Sequence, residues 1–196
     1  MPENDPDGIL IRKLKSTPDD RTFRTLLERH RNHVYNYCLR FLGNEAEAAD
    51  CSQEIFIRVF LSINEFRFQS RFSTWLYRIT LNHCLQMARS RNRRISGLRI
   101  ESESGQESRL TLMPSPLVDG PEGLFVRKEI QAAFQSALGR LKDIQRTMVI
   151  LKDLDGLSYE EISAITGKKP GTVRSTLSRA RFRIARELKI YHDEMQ

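Results

Sequence analysis

LSYEEISAITGKKPGTVRSTLSRARFRIAREL, residues 157–188, reads as a short amphipathic helix, a tight turn and a longer basic helix. Tyr159, Ile162, Ile165 and Thr166 fall on one side of the first helix. Gly167 supplies the backbone freedom of a sharp turn, and Pro170 suits the first turn of a new helix. In the second helix Val173, Leu177, Ala180, Ile184 and Leu188 recur every three or four residues, so they form one buried stripe. Arg174, Ser175, Ser178, Arg181 and Arg186 then face outward. A helix anchored by an apolar stripe, with arginine and serine opposite, has the form that enters a DNA major groove. The plainer alternative is a solvated helix of an ordinary bundle. The preceding helix, the glycine turn and the proline start favour DNA reading.

Composition narrows the function class. The chain has 196 residues, 39% of them hydrophobic and 29% charged, enough apolar residues for one medium or two small cores. No run approaches the apolar length of a membrane span, and the acidic, proline-bearing residues 1–10 are unlike a signal peptide. The net charge of +7 fits a polyanionic partner. Cys38, Cys51 and Cys84 are scattered without a CxxC pair, so they read as reduced thiols in helical cores of a cytoplasmic protein.

The rest of the chain is helical in pattern. A short helix is expected around Ile9, Leu10, Ile11 and Leu14. Asp19 or Asp20 caps a second, in which Phe23, Leu27, His30, Val34, Cys38 and Phe41 repeat until Gly43. His30 and His33 lack a third ligand nearby and read as ordinary histidines. Asn44 and Glu47 have the form of a capping box, opening a helix with Ile55, Phe56, Val59, Phe60 and Ile63 toward a core. Asp50, Gln53, Glu54 and Ile57 line another face at i, i+3, i+4, i+7 spacing. That face is either simply solvated or a docking surface.

Residues 65–72, EFRFQSRF, combine three phenylalanines and two arginines without a period. Phe66 and Phe72 anchor such a loop; Phe68, between Arg67 and Gln69, is harder to bury. Aromatic and arginine residues on a loop suit unstacked bases, although the same residues could merely pin the loop. Ser73 or Thr74 is expected to cap the next helix, whose Arg78, Asn82, Gln86 and Arg89 form a polar stripe. Between Trp75 and Arg94 stand five arginines and no acid, which points to a phosphate-binding surface. Residues 96–121, rich in serine and bearing Pro114, Pro116 and Pro121, read as a linker. Beyond it Leu124, Ile130, Phe134, Leu138 and Leu141 support one helix, and Met148, Val149, Leu151 and Leu154 another. The expected fold is all-α: two small helical domains, 1–95 and 122–196, joined by a flexible tether.

LGNEAEAADCSQEIFIRVF, FSTWLYRITLNHC, the serine–proline linker and GLSYEEISAITGKKPGTVRSTLSRAR together resemble a bacterial RNA polymerase sigma factor of the extracytoplasmic function (ECF) class, in the sigma-70 superfamily. The resemblance implies sigma domain 2 in front and the helix-turn-helix sigma domain 4 behind. It implies docking on the β′ coiled coil of core RNA polymerase by Asp50, Gln53, Glu54 and Arg58. It assigns −10 DNA to Phe66, Arg67, Phe68, Gln69, Ser70, Arg71, Trp75, Tyr77, Arg78, Asn82 and Arg89. It assigns −35 DNA to Thr172, Arg174, Ser175, Ser178 and Arg179, and it places the segment around Arg146 and Met148 in the module that meets the β flap. Control by an anti-sigma factor is also implied. Thr176 stands where the family often has arginine, which removes one phosphate or base contact; Phe68 and Lys169–Pro170 also depart from its pattern.

The chemistry is coherent. A base cannot be read on its pairing edge inside a duplex, so it is extruded at a cost of roughly a few kcal/mol, offset by phosphate contacts. No GxxxxGK[ST] segment, paired nucleophile and base, or carboxylate cluster is present, so no enzymatic activity and no cofactor are expected. The competing function is a stand-alone helix-turn-helix regulator that binds an operator without polymerase.

Overall fold

The computed structural model describes residues 5–97 and 121–194. Eight α-helices make up the described residues: α1 (Pro6–Ser16), α2 (Asp20–Leu42), α3 (Glu45–Ser62), α4 (Phe72–Gly97), α5 (Pro121–Gly139), α6 (Asp143–Val149), α7 (Tyr159–Thr166) and α8 (Pro170–Glu194). A 3-10 turn (Ile63–Glu65) follows α3 and a π turn (Ile150–Leu154) follows α6. The all-α expectation holds. Most of the expected linker, including its prolines at 114 and 116, lies outside the described residues.

The helix ends follow from local chemistry. Asp19 rather than Asp20 caps α2, accepting from the amides of Arg21 at 3.1 Å and Thr22 at 3.2 Å. Gly43 closes that helix in the left-handed region at φ 74°. Asn44 caps α3 by accepting from the Glu47 amide at 2.9 Å. The Glu47 carboxylate reaches Arg91 of α4 at 3.5 Å. Ser73 and Thr74 do not cap α4, because the helix already begins at Phe72. α7 opens with a complete capping box, in which Ser158 and Glu161 satisfy each other's amides.

In the front module α1–α4 enclose Leu26, Val34, Phe41, Ile55, Val59, Phe72 and Leu76. Leu26 is fully buried, whereas Leu27, expected in that stripe, is only half-buried. Phe60, expected in the core, is 54% exposed and lies edge-on to Phe23 at 4.9 Å. Asp7 ties α1 to α2 through His30 at 2.8 Å and Arg29 at 3.2 Å. Burial works against the Asp7 carboxylate, but its contacts with His30 and then Arg29 hold it below its ordinary range. His30 is thus engaged by an acid rather than by a metal set. In the rear module Leu138, Met148, Ile150, Leu151, Ile162, Val173 and Leu177 are buried, whereas Ile130 is 60% exposed.

The two modules share one contiguous apolar core running from Ile11 to Ile184. Arg146 is the polar centre of their junction. Its guanidinium donates to the carbonyls of Leu138 at 2.9 Å and Gly139 at 2.6 Å, near the end of α5, and of Phe41 at 2.8 Å, near the end of α2. Two helix C-termini thus turn their partial negative charges toward one cation, which also stacks over the Phe41 ring at 5.1 Å. This explains how a half-buried arginine persists without a carboxylate contact. Arg146 is occupied in packing.

Candidate nucleic-acid interface

α3 projects Asp50, Gln53, Glu54 and Arg58 to solvent, while Cys51, Ile55 and Val59 hold its other side in the core. Ile57, 58% exposed, and Leu61, 72% exposed, continue the same outward stripe. Two large aliphatic side chains thus stay exposed among charged neighbours on this face. Leu61 lay beyond the predicted stripe, one further step of four from Ile57.

The loop between α3 and α4 is built around Phe66. Its ring is only 2% exposed, packed against Phe72 at 6.0 Å, Trp75 at 5.4 Å and Phe68 at 4.9 Å. Phe66 is therefore an anchor, and its assignment to DNA contact is corrected: a ring so covered reaches no base. Lys15 of α1 fixes the loop backbone, donating to the carbonyls of Asn64 at 2.8 Å and Phe66 at 2.7 Å. Phe68 has φ 55°, the one non-glycine positive φ among the described residues, and its ring lies 5.4 Å from both Arg12 and Lys15. An aromatic residue in the left-handed region is strained, roughly 1–3 kcal/mol for such a conformation, and the two cations over its ring help to hold it. Arg67, Gln69 and Arg71 are exposed and Ser70 is half-buried.

On α4, Trp75 is half-buried, while Asn82 and Arg89 are exposed. Tyr77 and Arg78 face the rear module. The Tyr77 hydroxyl donates to Asp155 at 3.2 Å, and Arg78 Nε donates to the Ala164 carbonyl on α7 at 2.9 Å. Asp155 also pairs with Arg40 at 2.6 Å, with side chains 17% (Arg40) and 9% (Asp155) exposed. Burial pushes the Asp155 carboxyl above its ordinary range, with Arg40 and Tyr77 pulling the other way. Burial, followed by the Asp155 charge, pushes the Tyr77 phenol up. Arg71 reaches Glu161 at 3.9 Å, a weaker surface contact across the same seam. The helix expected to read DNA is therefore partly engaged by the helix-turn-helix module.

In the rear module, Gly167 adopts φ 68° and Pro170 starts α8, as the turn requires. Val173, Leu177, Ala180 and Ile184 are buried. Thr172, Arg174, Ser175, Ser178 and Arg179 all lie exposed on the opposite face. Arg174 rests over Tyr159 at 5.1 Å, and Arg179 Nε donates to the Ser175 carbonyl at 3.2 Å. Arg181 is taken by Asp153, Nε to Oδ2 at 3.1 Å, which raises its pKa. Thr176 is only 7% exposed. It packs inward, away from the outward face of α8. Phe182, 72% exposed, extends the outward face one turn beyond Ser178. Its place outside the 173–177–180–184 stripe was the sequence signal for that exposure.

Residues 26–94 match the Sigma-70 region 2 family and residues 131–184 match Sigma-70 region 4. The chain is 33% identical over 181 residues to the ECF RNA polymerase sigma factor SigW of Bacillus subtilis, covering 91% of this chain and 95% of that protein. This chain belongs to the ECF sigma factor family. It is also 36% identical over 184 residues to the ECF sigma factor SigE of Mycolicibacterium smegmatis, covering 92% of this chain and 67% of that protein. The sigma factor RpoE of Bartonella quintana, solved in complex with the anti-sigma factor NepR, superposes with a TM-score of 0.65 at 26% identity, covering 86% of this chain and 97% of that one. As an ECF sigma factor, the chain is a DNA-binding transcription initiation factor of bacterial RNA polymerase.

Proposed function

We propose that this sigma factor holds promoter DNA at two points, with residues 1–95 and 122–196 acting as separate modules on a tether at 96–121. The outward face of α8 carries the reading most strongly. It offers Thr172, Arg174, Ser175, Ser178 and Arg179 for the −35 duplex, in a chain whose front module belongs to sigma-70 region 2. A bidentate arginine–guanine contact there would give about 1–3 kcal/mol of discrimination. Arg67, Phe68, Gln69, Ser70 and Arg71, with Trp75, Tyr77, Arg78, Asn82 and Arg89, take the opened −10 strand. Asp50, Gln53, Glu54 and Arg58, joined by Ile57 and Leu61, dock on the β′ coiled coil, and the rear module meets the β flap. Core polymerase and promoter DNA are thus the cytoplasmic partners.

The seam contacts of Tyr77 and Arg78 are incompatible with simultaneous DNA binding through the same groups. Polymerase docking releases them, and an anti-sigma factor lying across both modules keeps them engaged. The Bartonella relative was solved in complex with the anti-sigma factor NepR, which supports an anti-sigma partner by likeness. The experiment is transcription in vitro from a promoter panel with core polymerase. Promoter-specific transcripts should appear only with the chain added. Transcripts no greater than with core alone, together with tight operator binding by the free chain, would instead favour a stand-alone regulator.

A further inference from the structure

The three cysteines, far apart in sequence, converge in the front module. Cys38 comes from α2, Cys51 from α3 and Cys84 from α4, and all three are fully buried free thiols. Cys84 Sγ lies 3.7 Å from Cys51 Sγ and 3.8 Å from Cys38 Sγ, and all three sulfurs lie within 4.8 Å of one another. Small buried cysteines are common in cores, but packing alone does not ask three sulfurs to share one point. A tetrahedral zinc ion with Zn–S bonds of about 2.3 Å requires its thiolates to stand about 3.8 Å apart. The two shorter spacings match that edge before any ion is placed, so little backbone movement is needed to close the site.

We propose that Cys38, Cys51 and Cys84 form a three-thiolate site for a soft divalent cation of the zinc class. Binding replaces three S–H bonds with three S–metal bonds and releases three protons, leaving one net negative charge and no change of oxidation state. One buried histidine adjoins the site. His83, next to Cys84, is only 4% exposed. Neither ring nitrogen has a hydrogen-bond partner, although Nε2 stands 3.1 Å from the Glu54 carboxylate. The metal would cross-link the helix bearing Asp50, Gln53 and Glu54 to the helix bearing Trp75, Arg78 and Asn82. Metal supply would then set the stability of the front module, because a ligand that binds only the folded form raises its stability by mass action.

The test uses the reduced full chain, stripped of metal and titrated with cadmium as the spectroscopic probe and zinc as the competitor. Thiolate-to-cadmium charge-transfer absorption should saturate at one equivalent, native mass spectrometry should show one ion per chain, and zinc should displace cadmium. Cys51→Ala should weaken binding by more than the roughly 10–100-fold that losing even an outer-shell partner costs. Because this variant could simply unfold, the wild-type chain supplies an independent readout. Its melting temperature should be higher in zinc than in chelator, and zinc should slow alkylation of all three thiols. Absence of the charge-transfer band at one equivalent would overturn the proposal. So would a band that survives in a folded Cys51→Ala chain, or equal melting and alkylation with zinc and chelator.

Discussion

Replacing Asp155 by alanine is expected to separate the two modules. Asp155 accepts from Arg40 at 2.6 Å and from Tyr77 at 3.2 Å, and its side chain is 9% exposed. Breaking a buried ion pair from one side costs about 3–5 kcal/mol, because the surviving charge is left without its partner. Arg40 retains 17% exposure, which lets water recover part of that loss, so about 2–3 kcal/mol is the expected penalty on the closed arrangement. That is a shift of roughly 30–150-fold toward separated modules. Fluorophores at the exposed residues Gln53 and Arg186 would report it as a loss of the short-distance population. The freed Tyr77 and Arg78 should raise affinity for single-stranded −10 DNA in the same variant. Adding Arg40→Ala should recover part of the penalty, since no unpaired cation then remains. An Asp155→Ala chain with native helicity but unchanged distance distribution and unchanged affinity would refute the reasoning. The pH dependence has a definite sign. The closed form holds the Asp155 proton more tightly than an open form at the ordinary value of 3.8. The group therefore supports closure most below that value, where the neutral carboxyl, unlike alanine, still accepts from Arg40 without the desolvation cost of a buried charge, and this added support is lost as pH rises through the closed-state pKa.

Other surfaces give sharper single-site tests. Ser158→Ala removes one half of the α7 capping box and should cost about 1 kcal/mol, read as a lower denaturant midpoint. The Ser158 amide, then its hydroxyl, hold the Glu161 carboxyl below 4.5, so its contribution is present above that value and lost as pH falls through the folded-state pKa. Arg174→Ala should lose about 1–3 kcal/mol of −35 discrimination in holoenzyme binding, while stability falls by no more than the roughly 0.5–1 kcal/mol of its exposed contact over Tyr159. Ile57→Glu with Leu61→Glu should weaken polymerase binding without lowering stability, measured by competition with the wild-type chain for core enzyme; equal competition would exclude that face.

The helix-turn-helix was legible almost residue by residue. Its buried stripe, its glycine turn and its proline start all depend on spacing within one helix or across one turn. The same local physics made the outward faces of α3 and α8 readable. Contacts between residues distant in sequence were not readable. Arg40 and Asp155, Arg78 and Ala164, and Arg146 and Phe41 meet only because α5–α8 fold back onto α2 and α4. No period in either segment encodes that meeting. The cysteines were hidden for the same reason, each taking an ordinary core position on its own helix. Phe66 was misassigned because the resemblance carries residue positions, whereas burial decides which of them reach solvent. Phe60 and Ile130 show the converse, since an apolar residue at helical spacing stays exposed where no neighbouring helix covers it.

The most direct test of the account is strand opening at the −10 element without nucleotides. Permanganate reactivity of −10 thymines should appear when the chain and core polymerase are both present, and with neither alone. Arg78→Ala should reduce it, while Arg174→Ala should weaken promoter binding yet leave opening intact at saturating protein. No reactivity above core alone, or reactivity unchanged in Arg78→Ala while Arg174→Ala abolishes it at saturation, would contradict the division of labour between α4 and α8.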